Sequence, residues 1–228
     1  SIFCSFYELN LSEAKNTKEE YKTFNDFFSR ELKAGCRPIS SGLCFPCDGL
    51  IADYGDIHEN LELEAKGHSF SIEDLVGRGS LDHFSKGSQL TVYLAPSDYH
   101  RVHMPTDGRL TAATYIPGEL FSVNPKTVAE IPGLYAKNER LVFYFETERG
   151  DMIVTMVGAA IVAGIKPFWR KAAFEPRIYR EEKLDYYLNK GDEIGLFEMG
   201  STVILLLSSR FDFKLKKNEK AFYGQSVS

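Results

Sequence analysis

At 228 residues the chain is long enough to bury a sizeable core, as one large domain or as a domain with a helical appendage. Its hydrophobic content of 43% and charged content of 26% are those of an ordinary globular protein. A net charge of −5, with no basic stripe interleaved with aromatics, argues against a nucleic-acid partner, and no apolar run approaches the length of a bilayer span.

In chain order, no secretory signal is expected at the start. The stretch Ser1 to Tyr7 is apolar and aromatic, suited to core packing or to resting on a membrane surface. The first helical signal runs from Thr23 to Leu32. Thr23 with Asp26 reads as its cap, and Phe24, Phe27, Phe28 and Leu32 form one apolar face at helical spacing. Gly35 and Pro38 end that region. Cys4, Cys36, Cys44 and Cys47 all fall early. Cys44 and Cys47 have the spacing of half a zinc site, but no second pair follows, so free thiols and no metal are expected.

Beyond Cys44 the pattern becomes short strands broken by Gly, Pro and Asp. Strands are predicted at Leu50–Asp53, Gln89–Ala95, Arg109–Tyr115, Arg140–Glu146, Met152–Ile165, Glu193–Phe197 and Thr202–Leu207. Ser71 to Val76 reads as a capped helix, and the charged, tyrosine-bearing Arg177 to Leu188 as a surface excursion between strands. The late cluster Lys214, Lys216, Lys217 and Lys220 suits a solvated tail or a patch facing anionic headgroups. The expected fold class is therefore α+β: a mostly antiparallel, barrel-sandwich-like β domain over residues 41–228, behind a small helical part at residues 1–40 that is a candidate for membrane contact.

Three places carry candidate chemistry. Pro46-Cys47-Asp48-Gly49 offers a carboxylate beside a turn signal. Asp98-Tyr99-His100-Arg101-Val102-His103-Met104-Pro105 holds two histidines, the side chain best suited to moving protons near neutral pH. Gly200-Ser201-Thr202 sits on the tight entry to an apolar strand, where the serine hydroxyl has a neighbouring carbonyl to attack. Serine, histidine and aspartate are the parts of a nucleophile, its base and the group that orients the base. The absence of a Gly-x-Ser-x-Gly elbow disfavours an ordinary α/β hydrolase.

These motifs are ordered as in a known family. With Phe24 to Leu32, Lys66 to Ser71, Tyr115 to Asn124, Asn138-Glu139-Arg140 and Val157-Gly158-Ala159, they make the chain resemble the prokaryotic, pyruvoyl-dependent phosphatidylserine decarboxylases from about Phe24 to Leu207. Met199 stands where the family usually has Leu, and Cys47 where it often has Ala; neither change removes a chemical group. The resemblance implies that His103, oriented by Asp48, activates Ser201 against the Gly200 carbonyl, splitting the chain into residues 1–200 and 201–228. Ser201 would become a covalent pyruvoyl group, the cofactor, which binds phosphatidylserine as a Schiff base and serves as the electron sink that decarboxylation needs. His100 is implied as the acid that reprotonates the α-carbon, with Phe121, Ser122 and Val123 lining the headgroup pocket. Implied partners are phosphatidylserine in an anionic membrane and the two cleavage chains themselves, with room for a homodimer, and the implied location is the cytoplasmic membrane face, peripherally attached. The competing reading is a non-catalytic lipid-binding or carrier-like module. Lys190 to Gly195 before a hairpin suits a carrier, but Met199-Gly200-Ser201 stands where a carrier lysine belongs.

Overall fold

The structure is a computed structural model and describes residues 11–58, 60–65, 67–77, 80–159, 164–198 and 201–228. Its strands are β1 (Gly49–Asp56), β2 (Glu62–Ala65), β3 (His68–Ser71), β4 (Ser88–Leu94), β5 (Arg101–His103), β6 (Gly108–Ile116), β7 (Arg140–Thr147), β8 (Gly150–Gly158), β9 (Ile165–Pro167), β10 (Arg180–Leu188), β11 (Glu193–Phe197), β12 (Ser201–Leu207) and β13 (Lys220–Ala221). The α-helices are short: α1 (Phe24–Phe28), α2 (Ile72–Val76), α3 (Pro125–Glu130) and α4 (Leu134–Lys137).

The apolar run Val203 to Leu207 explains the architecture. A strand with no polar alternation must be covered on both faces. β12 lies inside an eight-stranded antiparallel sheet of order β10-β6-β7-β8-β12-β4-β1-β13. Because successive side chains point to opposite faces, Val203, Leu205 and Leu207 pack with Phe143, Val154 and Val92 in one core layer. Ile204 and Leu206 pack with Val142 and Ile153 in the other. The first layer is closed by Val102, Ile165, Ile194 and Phe197 of a second sheet, β5-β11-β9. The other is closed by Ile72 and Leu75 of α2, Leu134 and Tyr135 of α4, and Leu63 and Phe70 of the β2–β3 hairpin. Each such fully buried aliphatic side chain stabilises the fold by ~1.5–3 kcal/mol relative to exposure.

The mostly antiparallel β architecture expected from the sequence is what forms, with four instructive differences. Arg180–Leu188 is a strand and not an excursion: it is the sheet's edge, paired only with β6, and an edge strand carries charge on its open side. The capping box at Thr23 forms as read, but the helix stops at Phe28. There the chain turns extended, so that Ala14 bridges Leu32 and the Arg30 guanidinium reaches the carbonyls of Ser97 and Asp98. Met152–Ile165 divides into the end of β8 and the start of β9, with residues 160–163 outside the described residues. Gly49 opens β1 instead of a hairpin, and a Cβ there would stand 2.4 Å from the Tyr93 carbonyl oxygen, so only glycine allows this approach.

Candidate active site

Ser201 is the first residue of β12, opposite Leu94 of β4 on one side and Gly158 of β8 on the other. By strand alternation its side chain shares a face with Val203, the face covered by the smaller sheet. It is fully buried, and its Oγ has no hydrogen-bond partner among the described residues. A buried orphan hydroxyl is costly and so marks a position kept for something other than stability. Gly200, the other half of the expected cleavage site, lies outside the described residues.

The two histidines reach this end of the fold through one turn. β4 ends at Leu94, and Asp98 closes the turn by accepting from the Ala95 N–H at 2.9 Å. The chain then enters β5, where the His100 carbonyl accepts from Phe197 N–H at 2.9 Å. His100 is thereby fixed between the end of β4, which faces Ser201, and the end of β11, just upstream of it. Its ring packs 4.0 Å from Phe28. Nδ1 donates to the Asp98 carbonyl at 2.9 Å, because a carbonyl can only accept, and Nε2 is buried with no partner among the described residues. Burial drives its pKa down to about 3, helped by the nearby Arg30 and Lys220 charges and opposed by the Asp98 carbonyl. His100 is a neutral imidazole with a bare lone pair.

His103 is anchored at both nitrogens. Nδ1 donates to the Gly191 carbonyl at 2.8 Å, and Nε2 accepts from the Tyr99 hydroxyl at 3.1 Å. Burial again dominates and lowers its pKa to about 4, against the pull of the Gly191 carbonyl. Its ring lies flat on Tyr223, with centroids 3.8 Å apart and planes 7° from parallel.

Asp48 is buried and held by a fork. Arg37 donates to it from Nε and Nη2, the latter at 2.6 Å, and grips Glu13 with its other donors at 3.0 Å. The Tyr223 N–H donates to Asp48 Oδ1 at 2.9 Å. Burial raises the Asp48 carboxyl above its ordinary value, and Arg37 pulls it part of the way back.

The structure thus brings Asp48 and His103 to opposite sides of one tyrosine, whose N–H serves the carboxylate and whose ring serves the imidazole. The described hydrogen bonds contain no direct Asp48–His103 bond and none from His103 to Ser201; both ring nitrogens are taken by Gly191 and Tyr99. Cys36, Cys44 and Cys47 are free thiols.

The loop before α3 meets the same strand end. Asn138 donates from Nδ2 to the carbonyls of Phe121 and Gly158, both at 2.8 Å, and accepts from the Phe121 N–H at 3.1 Å. Since Gly158 faces Ser201, this one amide ties the loop beside the serine. Phe121 is partly exposed, the Ser122 hydroxyl accepts from Asn124 at 2.8 Å, and Val123 is buried. Beside Val123 and Tyr135 is a cavity of only about 20 Å³, room for roughly one water and no headgroup.

Four residues of the site escaped the sequence reading as such: Arg37, Tyr99, Tyr223 and Asn138. Tyr99 and Asn138 lie within motifs already noticed, but nothing in the sequence around Arg37 or Tyr223 marks them.

A sequence model of phosphatidylserine decarboxylases matches residues 24–228. A phosphatidylserine decarboxylase proenzyme of Francisella tularensis subsp. novicida (strain U112) is 45% identical, covering 93% of this chain and 79% of its own length. One of Vibrio vulnificus (strain YJ016) is 43% identical, covering 97% of this chain and 84% of that relative.

Proposed function

This chain belongs to the phosphatidylserine decarboxylase family and is a decarboxylase; from that premise we propose that it is a self-processing proenzyme that converts phosphatidylserine to phosphatidylethanolamine and CO₂. The cut falls between Gly200 and Ser201 and leaves a pyruvoyl group on residue 201. The observation that carries this reading is the fully buried Ser201 hydroxyl, without a partner among the described residues, at the start of a strand paired with the end of β4, beyond which the chain turns to two buried histidines.

In the processing reaction His103 is the base, and its Nε2, which here accepts from Tyr99, supplies the lone pair. As the Ser201 hydroxyl loses its proton, its oxygen adds to the Gly200 carbonyl. The amide C–N bond breaks, the nitrogen takes up a proton, and an ester remains. Loss of the residue 201 α-proton expels the Gly200 carboxylate. Water then replaces the nitrogen on the α-carbon, releasing ammonia and leaving a ketone. Asp48 acts on His103 through Tyr223, whose backbone it holds and whose ring lies on the imidazole.

A pyruvoyl carbonyl supplies a site that combines with the substrate amine and draws away the electron pair left when CO₂ departs. It fits here because residue 201 is buried and its Oγ makes no bond to the described residues that conversion would break. His100 handles the proton: Nε2 takes up one released by the substrate amine and returns it to the α-carbon after CO₂ has gone. Phe121, Ser122 and Val123, tied to Gly158 by Asn138, flank the headgroup from outside the small cavity beside Val123, which is too small to hold it. No helix among the described residues is long and apolar enough to cross a membrane, and the substrate is a lipid. We assign the protein, as its family resemblance implies, to a peripheral position on the cytoplasmic face of an anionic membrane. Residues 1–40 are the contacting part and residues 41–228 the catalytic domain.

Denaturing electrophoresis with intact mass tests the reading. The wild type should give fragments 1–200 and 201–228, the smaller blocked at its N-terminus and reactive toward carbonyl reagents. Ser201→Ala and His103→Ala should each stay whole and inactive. A wild-type chain that remains whole and unreactive refutes it.

A further inference from the structure

Tyr223 comes from the tail of the chain, beyond β13, yet touches both groups that the self-processing reading assigns to activating Ser201. The two in-plane bonds of His103, to Gly191 and Tyr99, pin opposite sides of the ring but leave it free to rock about the line joining them. A flat aromatic face at 3.8 Å and 7° removes that freedom. Tyr99 also faces the ring, but at 5.7 Å and 21°, too far to do the same. The backbone N–H of Tyr223 meanwhile fixes Asp48 Oδ1 at 2.9 Å.

We propose that Tyr223 is a positioning residue for His103: its ring sets the plane of the imidazole and favours the imidazolium, while its N–H couples that ring to Asp48. The inference rests on the self-processing reading above. An aromatic face attracts a cation lying over it, most strongly where water is excluded, and His103 becomes a cation at the moment it takes the serine proton. The other groups bearing on His103 are the Tyr99 hydroxyl at Nε2, Arg101 on its own strand, Asp192 from the turn before β11, and Glu193, which pairs with His103 across the ladder and holds Arg101 at 2.8 Å. Behind Tyr223 stands Asp48 with its Arg37 partner. None of these lies flat on the ring. Removing the Tyr223 ring therefore disfavours the imidazolium while the partners at both nitrogens stay in the chain, although the ring also stacks on Tyr99 at 5.6 Å and 28°.

The test compares Tyr223→Leu, which keeps the N–H and loses the ring, with Tyr223→Phe, which keeps both. Self-cleavage of the full chain is followed by gel after expression and purification at acid pH, across a range of pH. Cleavage of the Leu variant should be about tenfold slower at its plateau. The midpoint of its rate-versus-pH curve should shift to lower pH, because neutral His103 then persists further into acid. The Phe variant should match the wild type in both rate and midpoint. Thermal unfolding of Ser201→Ala with and without Tyr223→Leu reports whether the fold survives, so that a slow but unshifted Leu variant with a normal fold counts against the proposal. Wild-type cleavage by the Leu variant overturns it, as do Leu and Phe variants that are equally slow with an unchanged midpoint. A wild-type chain that never cleaves removes this proposal together with the reading beneath it, whereas the other refutations leave that reading intact.

Discussion

Replacing Arg37 with alanine would strand the Asp48 carboxylate in the interior. The two side chains are 7% and 4% exposed, so water cannot take the place of the guanidinium. Removing one partner of such a pair costs ~3–5 kcal/mol. The Tyr223 N–H stays bonded to the carboxylate, which favours the lower end, ~3 kcal/mol. For a chain of this size each kcal/mol moves the midpoint by about 2–4 °C, so a fall of roughly 6–12 °C is expected near neutral pH. The pH dependence carries the sign of the argument. Asp48 already has a raised carboxyl pKa, burial outweighing the pull of Arg37, so the folded state holds that proton more tightly than the unfolded chain does. The cost of ionising it is absent below the ordinary value of 3.8 and grows as pH rises through the folded value. Without Arg37 the folded value climbs further, so the deficit of the variant relative to the parent should shrink from about pH 7.5 to about pH 5. Thermal unfolding of Ser201→Ala with and without Arg37→Ala, at both pH values, measures this on an uncut chain. Adding Asp48→Asn to Arg37→Ala should recover part of the loss. A deficit that is independent of pH, or that grows in acid, refutes the reasoning.

Further outcomes follow from the same geometry. His100→Ala should still cut itself but decarboxylate at least about a hundredfold more slowly, the usual loss for a missing proton donor, in a CO₂-release assay; an uncut product would reverse the roles given to the two histidines. Both histidines have folded pKa values, about 3 and about 4, below their ordinary 6.5, so the unfolded chain binds more protons in that window. Stability of Ser201→Ala should therefore decline as pH falls below 6.5, and a double His100→Gln, His103→Gln background should decline less, as read by urea unfolding.

The sequence was informative where one physical constraint dominated. The run Val203 to Leu207 has no polar alternation, and a strand covered on both faces is the only short element that accommodates it. The boundaries of β11 were legible residue by residue because Asp192 and Glu198 bracket an apolar stretch. β10 was hidden because an edge strand needs charge on its open side, and charge is also the signature of a loop. The short strands β2, β3 and β5 carry too few residues for a period of two to show. Among the candidate groups, Asp48, His100, His103 and Ser201 stood out by residue type and motif. Arg37 and Tyr223 did not, because their part depends on long-range approach: Tyr223 reaches Asp48 across 175 positions. A tyrosine among tail lysines carries no local pattern that marks it.

The position of β12 decides what would become of the fragment that the proposed cut would begin at Ser201. All seven of its residues have partners on both flanking strands, from Ser201 to Leu207. Scission at its first peptide bond removes a covalent link yet leaves the ladders on either side whole. The small piece cannot diffuse away or exchange with a free copy unless the whole sheet opens, so the two polypeptides should behave in every native measurement as one molecule. A terminus created there would also inherit the rigidity of a central strand rather than the looseness usual at an end, which is what the proposed carbonyl, fixed in space, would require.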